Sequence, residues 1–182
     1  MRIEDKFREG LKKLLKTTPL DEINVVMLSS SIKSNRQTFY YHYRDLSDVI
    51  ESIFLKERVG YGIKPLDFES VFKPMFAYIN ANFSFLYSIA NSFASEKLEQ
   101  FFYSYINQKS NLYIKNTKKT EQIGTNQILY VVRQLSTLLS NELSYWVISK
   151  RKERQFHIMK RFNLIWNYFM NTYPEQMRLT KW

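Results

Sequence analysis

Apolar and polar positions follow a helical period through the first 60 residues of the chain. The first stretch predicts an amphipathic helix over residues 2–17. Its apolar positions are Ile3, Phe7, Leu11, Leu14 and Leu15. Three shorter helices are predicted after it, over 25–31, over 36–42 and from residue 45 onward. Side chains that can cap a helix precede them, namely Asn24, Asn35 and Asp45. The pattern therefore predicts four helices, with a tight turn at 32–34 between the two shortest.

The longer remainder of the chain follows a break in composition at Gly60, Gly62 and Pro65. We place a boundary there, which gives domains of residues 1–60 and 61–182. Helical periodicity predicts five further helices, at about 67–80, 82–92, 95–116, 122–151 and 154–172. Only four Gly and four Pro occur, fewer than the turns of a β fold usually need. We therefore expect an all-α protein of about nine helices, with a small N-terminal and a larger C-terminal domain.

Composition narrows the class of protein. The chain has no Cys, which excludes disulfides and cysteine-based zinc sites. The first residues are charged and no apolar run reaches about 18 residues, so we expect a cytoplasmic protein without a signal peptide or membrane span. The two histidines, His42 and His157, stand outside any catalytic or metal-binding motif. We expect no enzyme activity, no metal and no cofactor.

The formal net charge of +10 suggests an acidic partner such as nucleic acid, an anionic membrane surface or an acidic ligand. Its distribution does not locate that partner. Residues 1–60 hold 11 basic and nine acidic side chains, whereas the other 122 residues hold 16 and eight. A solvated basic surface explains most of the C-terminal excess, so the net charge does not identify a binding segment.

The two short helices and the turn between them have the layout of a helix-turn-helix. The third helix continues as Thr-Phe-Tyr-Tyr-His-Tyr over 38–43, followed by Arg44 and Asp45. This segment resembles the tetracycline-repressor (TetR/AcrR-like) family of bacterial transcriptional regulators, and the resemblance covers about residues 3–58. Residues 35–42 are especially similar to regulators near the dihydroxyacetone-kinase activators. The resemblance implies a homodimer that binds a palindromic operator in double-stranded DNA and acts as a repressor responsive to a small-molecule effector.

The third helix carries side chains suited to DNA. Arg36 can pair with guanine, Gln37 with adenine, and Thr38 can meet a thymine methyl or a phosphate. Lys33 and Arg44 flank the helix and suit phosphates, which fix register without reading sequence. The full set of expected DNA contacts is Lys33, Asn35, Arg36, Gln37, Thr38, Tyr40, Tyr41, His42 and Arg44. We assign Phe39 and Tyr43 to the core, where they anchor the helix.

Three positions depart from the family's pattern. In the turn, this chain has Lys33 where the family usually has Gly, and Ser34 where the family usually has an apolar residue. At the start of the fourth helix it has Leu46 where the family commonly has Lys. Because Gly tolerates positive φ cheaply, Lys33 either adds a phosphate contact at the cost of strain or marks a weakened reader. The alternative function is therefore a ligand-binding or protein-interaction module of the same fold with weakened or lost DNA binding.

The resemblance assigns the dimer interface and the effector pocket to the C-terminal domain. Wide apolar stripes over 122–151 and 156–170 suit a helical bundle across a two-fold axis, and they equally suit the core of one chain. The expected interface residues are Leu135, Leu139, Trp146, Phe162, Trp166 and Phe169. Aromatic side chains elsewhere suit a small apolar or amphipathic ligand, although each also suits the core. The expected pocket residues are Phe76, Phe83, Tyr87, Phe102, Tyr105 and Tyr113.

Overall fold

The computed structural model describes residues 1–117 and 124–172, and these ranges contain nine α-helices and no β-strand. The helices are α1 (Ile3–Leu14), α2 (Val25–Ser31), α3 (Arg36–His42), α4 (Leu46–Phe54), α5 (Phe68–Ala81), α6 (Phe83–Ala90), α7 (Ser95–Asn116), α8 (Thr125–Ile148) and α9 (Gln155–Asn167). A 3₁₀ turn at Leu20–Glu22 precedes α2, and a π-helical segment at Tyr168–Thr172 follows α9. The predicted all-α fold class is confirmed.

Capping side chains explain why the short helices begin where the sequence predicted. The Asn24 side chain accepts a hydrogen bond from the backbone N–H of Met27 at 3.0 Å, which fixes the start of α2. The Asp45 side chain accepts from the backbone N–H of Asp48 at 3.0 Å and fixes the start of α4. The 3₁₀ turn was not predicted, and the predicted start of the eighth helix at residue 122 lies outside the described residues.

The chain divides into two compact units, and the first consists of Met1–Arg58 together with Asn82–Phe101. The predicted boundary at residue 60 lies beside the end of the first segment, but the unit also includes α6 and the first turns of α7. Ring contacts account for this grouping. Phe54 of α4 stacks on Phe101 with 4.6 Å between ring centroids, and it meets Phe85 of α6 at 6.1 Å.

The core of the second unit, formed by Val59–Ala81 and Phe102–Trp182, is built largely from aromatic rings. Trp166 of α9 packs edge-on against Phe72 of α5 at 5.5 Å and against Tyr113 of α7 at 4.9 Å between centroids. These side chains are buried, and burial of such large rings is a main stabilising contribution in a core. These aromatic residues of the second unit therefore serve packing.

The segment between α4 and α5, where the composition changes, is a connector that hydrogen-bonds to α7. Gly60 and Gly62 have φ values of +59° and +77°, in the left-handed region that favours glycine. The Lys109 ammonium of α7 donates to the Gly60 carbonyl oxygen at 2.8 Å. Burial lowers the pKa of Lys109 below its ordinary value because the charged form is partly removed from water.

Candidate nucleic-acid interface

Helix α3 is fixed at its start by a cap. The Asn35 side chain accepts hydrogen bonds from the backbone N–H of Thr38 at 2.8 Å and from the Thr38 hydroxyl at 3.1 Å. A seven-residue helix is too short to be stable alone, so this cap and its packing against neighbouring helices must hold it. The Thr38 hydroxyl and the Asn35 side chain therefore have a structural task in addition to any contact with DNA.

The inner side of α3 lies in the core of the first unit. Phe39 is fully buried, and its ring meets the Phe7 ring of α1 edge-on at 5.4 Å between centroids. Tyr43 is also buried, and its hydroxyl lies 3.3 Å from both the Arg8 guanidinium and the Ser52 hydroxyl, each of which donates to it. The assignment of Phe39 and Tyr43 to the core agrees with the structure. Contacts from α1 and α4 thus set the orientation of α3.

The outer side of α3 is open to solvent. Arg36, Gln37, Tyr40 and Tyr41 are exposed, and Tyr41 has 84% of its surface accessible. The face combines hydrogen-bonding groups for base edges with tyrosines that can reach phosphates and thymine methyl groups. Four of the nine expected DNA contacts therefore lie on one accessible surface.

The turn before α3 has a left-handed residue at Lys33, with φ of +55°. Two hydrogen bonds close the end of α2 around it. The Lys33 N–H donates to the Ser30 carbonyl oxygen at 3.0 Å, and the Ser34 N–H donates to the Ser29 carbonyl oxygen at 2.9 Å. This is a Schellman motif, whose left-handed position is usually Gly. The strain expected at Lys33 from the sequence is therefore present, and the Lys33 side chain is exposed beside the start of α3.

Two expected DNA contacts already have protein partners. His42 Nδ1 lies 3.4 Å from a carboxylate oxygen of Glu4 on α1, and His42 is only half-buried. The Arg44 guanidinium donates twice to Asp48, at 2.9 and 2.8 Å. Hydrogen bonds from Arg44 hold the pKa of Asp48 below its ordinary value, and those with Asp48 raise the pKa of Arg44. Leu46, where the family commonly has Lys, is buried at the start of α4.

A cavity of about 400 Å³ lies between α1 and the end of α2, and the sequence analysis did not anticipate it. Lys6, Lys13 and Lys33 are among its lining residues. A sequence signal existed, because Lys6 and Lys13 are seven positions apart and so share one face of α1. The contribution of the α2 end to the same space depends on packing between helices.

The residues expected at an effector pocket are divided between the two units. Phe83 and Tyr87 of α6 belong to the first unit, where their rings lie 5.8 Å apart between centroids. The other four belong to the second unit and are buried there, namely Phe76, Phe102, Tyr105 and Tyr113. The Tyr105 hydroxyl donates to the Val71 carbonyl oxygen at 2.7 Å, and burial raises its pKa above the ordinary value.

The residues expected at the dimer interface lie mostly in the core of the single chain. Five of the six are buried, namely Leu135, Leu139, Trp146, Phe162 and Trp166, whereas Phe169 is half-buried. A second copy cannot contact a side chain that has no accessible surface. The apolar side chains that α8 leaves exposed include Leu138, Tyr145 and Ile148, which follow one face at i, i+7 and i+10.

Two other features were not found among the described residues, a cluster of metal ligands and a membrane-spanning helix. Within 1–117 and 124–172, no three His, Asp or Glu side chains are grouped so that they can hold a metal ion. A search of the same residues finds no helix whose length and hydropathy would let it cross a bilayer. The exposed face of α3, the turn at Lys33 and the neighbouring cavity are the features on which the function proposed below is based.

A capped short helix that follows a second short helix and a tight turn is the arrangement called a helix-turn-helix, which occurs in many DNA-binding proteins. The solved structure of a protein named dihydroxyacetone kinase operon activator DhaS has the same fold as this chain, with a TM-score of 0.64 and 98% of each chain covered. The two sequences are 15% identical, so the likeness concerns the fold. No protein-family model matches the chain, and no curated protein matches it.

Proposed function

We propose that the chain is a bacterial, cytoplasmic transcriptional regulator of the tetracycline-repressor type that binds a palindromic operator as a homodimer. The observation that supports this best is α3, whose inner side is fixed in the core while Arg36, Gln37, Tyr40 and Tyr41 stay exposed. A rigid helix that presents such groups can enter the major groove and read base edges.

The proposed contacts divide into two kinds. Arg36 and Gln37, in the first turn of α3, read guanine and adenine through paired hydrogen bonds. Lys33 and Tyr41 contact phosphates, which position the helix and add affinity for any sequence. His42 and Arg44 are left out of the direct contacts, because Glu4 and Asp48 already hold them.

Selection of genomic DNA fragments by the full chain tests this proposal. We expect enrichment of a palindrome whose half-sites lie about one helical turn apart, roughly 34 Å between centres. Arg36→Ala should relax the preference at one base pair of each half-site, whereas Lys33→Ala should weaken binding to all fragments alike. The absence of any enriched palindrome, with every candidate effector tried, would refute sequence-specific binding.

Equal effects of the two variants on all fragments would refute only the division of roles. A reporter gene placed behind the enriched fragment then gives the sign of regulation. Repression is the sequence-based hypothesis, whereas the structural relative carries the name of an activator.

The dimer in this proposal uses the exposed apolar face of α8 in place of the buried residues expected from sequence. Leu138, Tyr145 and Ile148 lie along that face. Apolar side chains in register on one helix suit an isologous two-fold contact. Leu138→Glu combined with Tyr145→Glu should halve the molar mass measured by sedimentation equilibrium.

Leu55→Glu, at an exposed apolar position after α4, is the control and should leave the mass unchanged. A wild-type chain that stays monomeric at every concentration would contradict the dimer.

The second candidate function is a helical module that has weakened or lost DNA binding. It is favoured by two expected phosphate-contact positions at which no free cationic side chain is present. Arg44 is committed to Asp48, and the buried Leu46 offers no charge at the start of α4. Titration of sheared DNA at several salt concentrations separates the two candidates. A working reader binds weakly with a steep dependence on salt, because phosphate contacts release counterions. A chain without a reader shows neither.

A further inference from the structure

The cavity between α1 and the end of α2 lies wholly within the first compact unit. Its volume of about 400 Å³ is within the range of pockets that hold small organic molecules. Gly10 contributes part of the wall, and a side chain there would bring its Cβ to 2.5 Å from Cγ2 of Ile32. The two helices therefore approach closely at Gly10, and the cavity opens beside this contact, lined also by Leu14 and Ile32.

The charge around the cavity is predominantly positive. Lys6, Lys13 and Lys33 line it, against a single carboxylate from Glu9. None of the three lysines forms an ion pair with any part of the chain that the structure describes. By contrast, other lysines of the same unit are neutralised, as Lys12 is by Glu57 at 2.8 Å. Three cationic side chains without partners around an apolar wall are suited to an anion that also carries an apolar part.

We propose that this cavity binds a small organic anion, with its acidic group held by Lys6, Lys13 and Lys33 and its apolar body on Leu14 and Ile32. A duplex cannot enter a concave space of this size, so a DNA phosphate would meet these lysines only at the rim of the cavity, whereas a small anion can also reach the apolar wall. The wall of α1 and the turn at Lys33 thus form a ligand site in the first unit, separate from the aromatic core of the second.

Occupation of the cavity also affects DNA binding, a consequence that rests on the function proposed above. Lys33 lines the cavity and precedes α3 by only a few residues. An anion in the cavity neutralises the charge of the Lys33 ammonium, which is also the proposed contact to a DNA phosphate. The bound anion therefore weakens the binding of DNA. By linkage, DNA must weaken the binding of the anion by the same factor.

Fluorescence titration of the full chain with anilinonaphthalene sulfonate, an anion with an aromatic body, tests the site without DNA. We expect saturable binding that Lys6→Gln combined with Lys13→Gln weakens by about tenfold or more, as loss of two charge-assisted hydrogen bonds implies. Lys56→Gln combined with Lys64→Gln removes the same charge from exposed positions that do not line the cavity. It should change the affinity less than about twofold, since distant surface charges are largely screened.

The outcomes separate the two proposals. Equal affinities of the two double variants, equal binding of the uncharged analogue N-phenylnaphthylamine, or no saturable binding would each overturn the anion site. If the chain binds no DNA, the function proposed above fails, while the titration still decides whether the cavity binds anions. If the cavity double variant loses DNA affinity and salt dependence while the probe fails to bind, its lysines contact DNA phosphates and the anion site is refuted.

Discussion

Replacement of Lys33 by glycine separates the strain in the turn from the charge that the turn carries. Lys33 has φ of +55°, and the hydrogen bonds that end α2 fix it there. An L-residue in this region costs about 1–2 kcal/mol relative to the right-handed region. Glycine avoids that cost, but its greater freedom in the unfolded chain costs about 0.4–1 kcal/mol. Lys33→Gly should therefore stabilise the protein by about 0.5–1 kcal/mol.

Thermal unfolding followed by circular dichroism measures this difference. For a chain of this length the gain corresponds to a rise in Tm of about 1–4 °C. Lys33→Ala removes the same charge and keeps the strain, so it should unfold within about 0.5 kcal/mol of the wild type. Ser34→Gly makes a similar change at a neighbouring residue whose φ is not positive, and it should destabilise the protein by about 0.5–1 kcal/mol.

Binding to the enriched DNA fragment gives the second measurement. Both Lys33 variants should reduce the salt slope by about one, because both remove the same phosphate contact. A Lys33→Gly protein that is less stable than Lys33→Ala would refute the assignment of strain to this turn. A salt slope that differs between the two variants would show that the turn's conformation, and not the charge, controls DNA binding.

Three further predictions concern the same unit. Asn35→Ala removes the cap of α3 and should cost about 1 kcal/mol in thermal unfolding, whereas Asn35→Asp should keep most of the stability. Gly10→Ala should destabilise the chain by about 1–3 kcal/mol, because the added methyl group overpacks against Ile32. Adding Ile32→Ala to this variant should restore part of the lost stability. A double variant whose loss of stability equals the sum of the two single losses would contradict this explanation. Asp48→Asn should lower stability above about pH 5, where the carboxylate with its lowered pKa is charged in both states. The difference from wild type should shrink as pH falls below 3.8 and through the lowered pKa, and a constant difference down to acid pH would refute the role of the Arg44 pair.

Lys33 lines the cavity and is also the proposed phosphate contact beside α3, so both proposed binding events involve the same residue. A residue in the left-handed conformation directs its side chain differently from a helical residue. The backbone conformation of Lys33 therefore affects both the proposed anion binding and the proposed DNA binding. Lys33→Ala removes the charge and keeps the strained conformation, whereas Lys33→Gly removes both. Comparing the two variants therefore shows whether each binding event depends on the charge or on the conformation.

The sequence by itself determined most of the helices and the layout of the helix-turn-helix. The boundaries of α2 and α3 follow from Asn24 and Asn35, which cap through hydrogen bonds to residues three positions ahead. Such interactions are local, so neighbouring residues suffice to predict them. The burial of Phe39 and Tyr43 also followed from their spacing on one face of a helix. The unusual residue at the left-handed position, Lys33, was visible because the family that the segment resembles usually has Gly there.

Only the tertiary structure decided which side chains stay free to act. Leu135 and Trp146 lie in the same apolar stripe as Leu138, and periodicity along a single helix could not show that its neighbours bury the first two and leave the third exposed. The pairing of His42 with Glu4 joins helices far apart in sequence, as does the cavity between α1 and the end of α2. Such contacts depend on how helices pack against each other. Helix packing depends on many weak contacts between residues that are far apart in sequence, so it cannot be predicted from any short stretch of the chain.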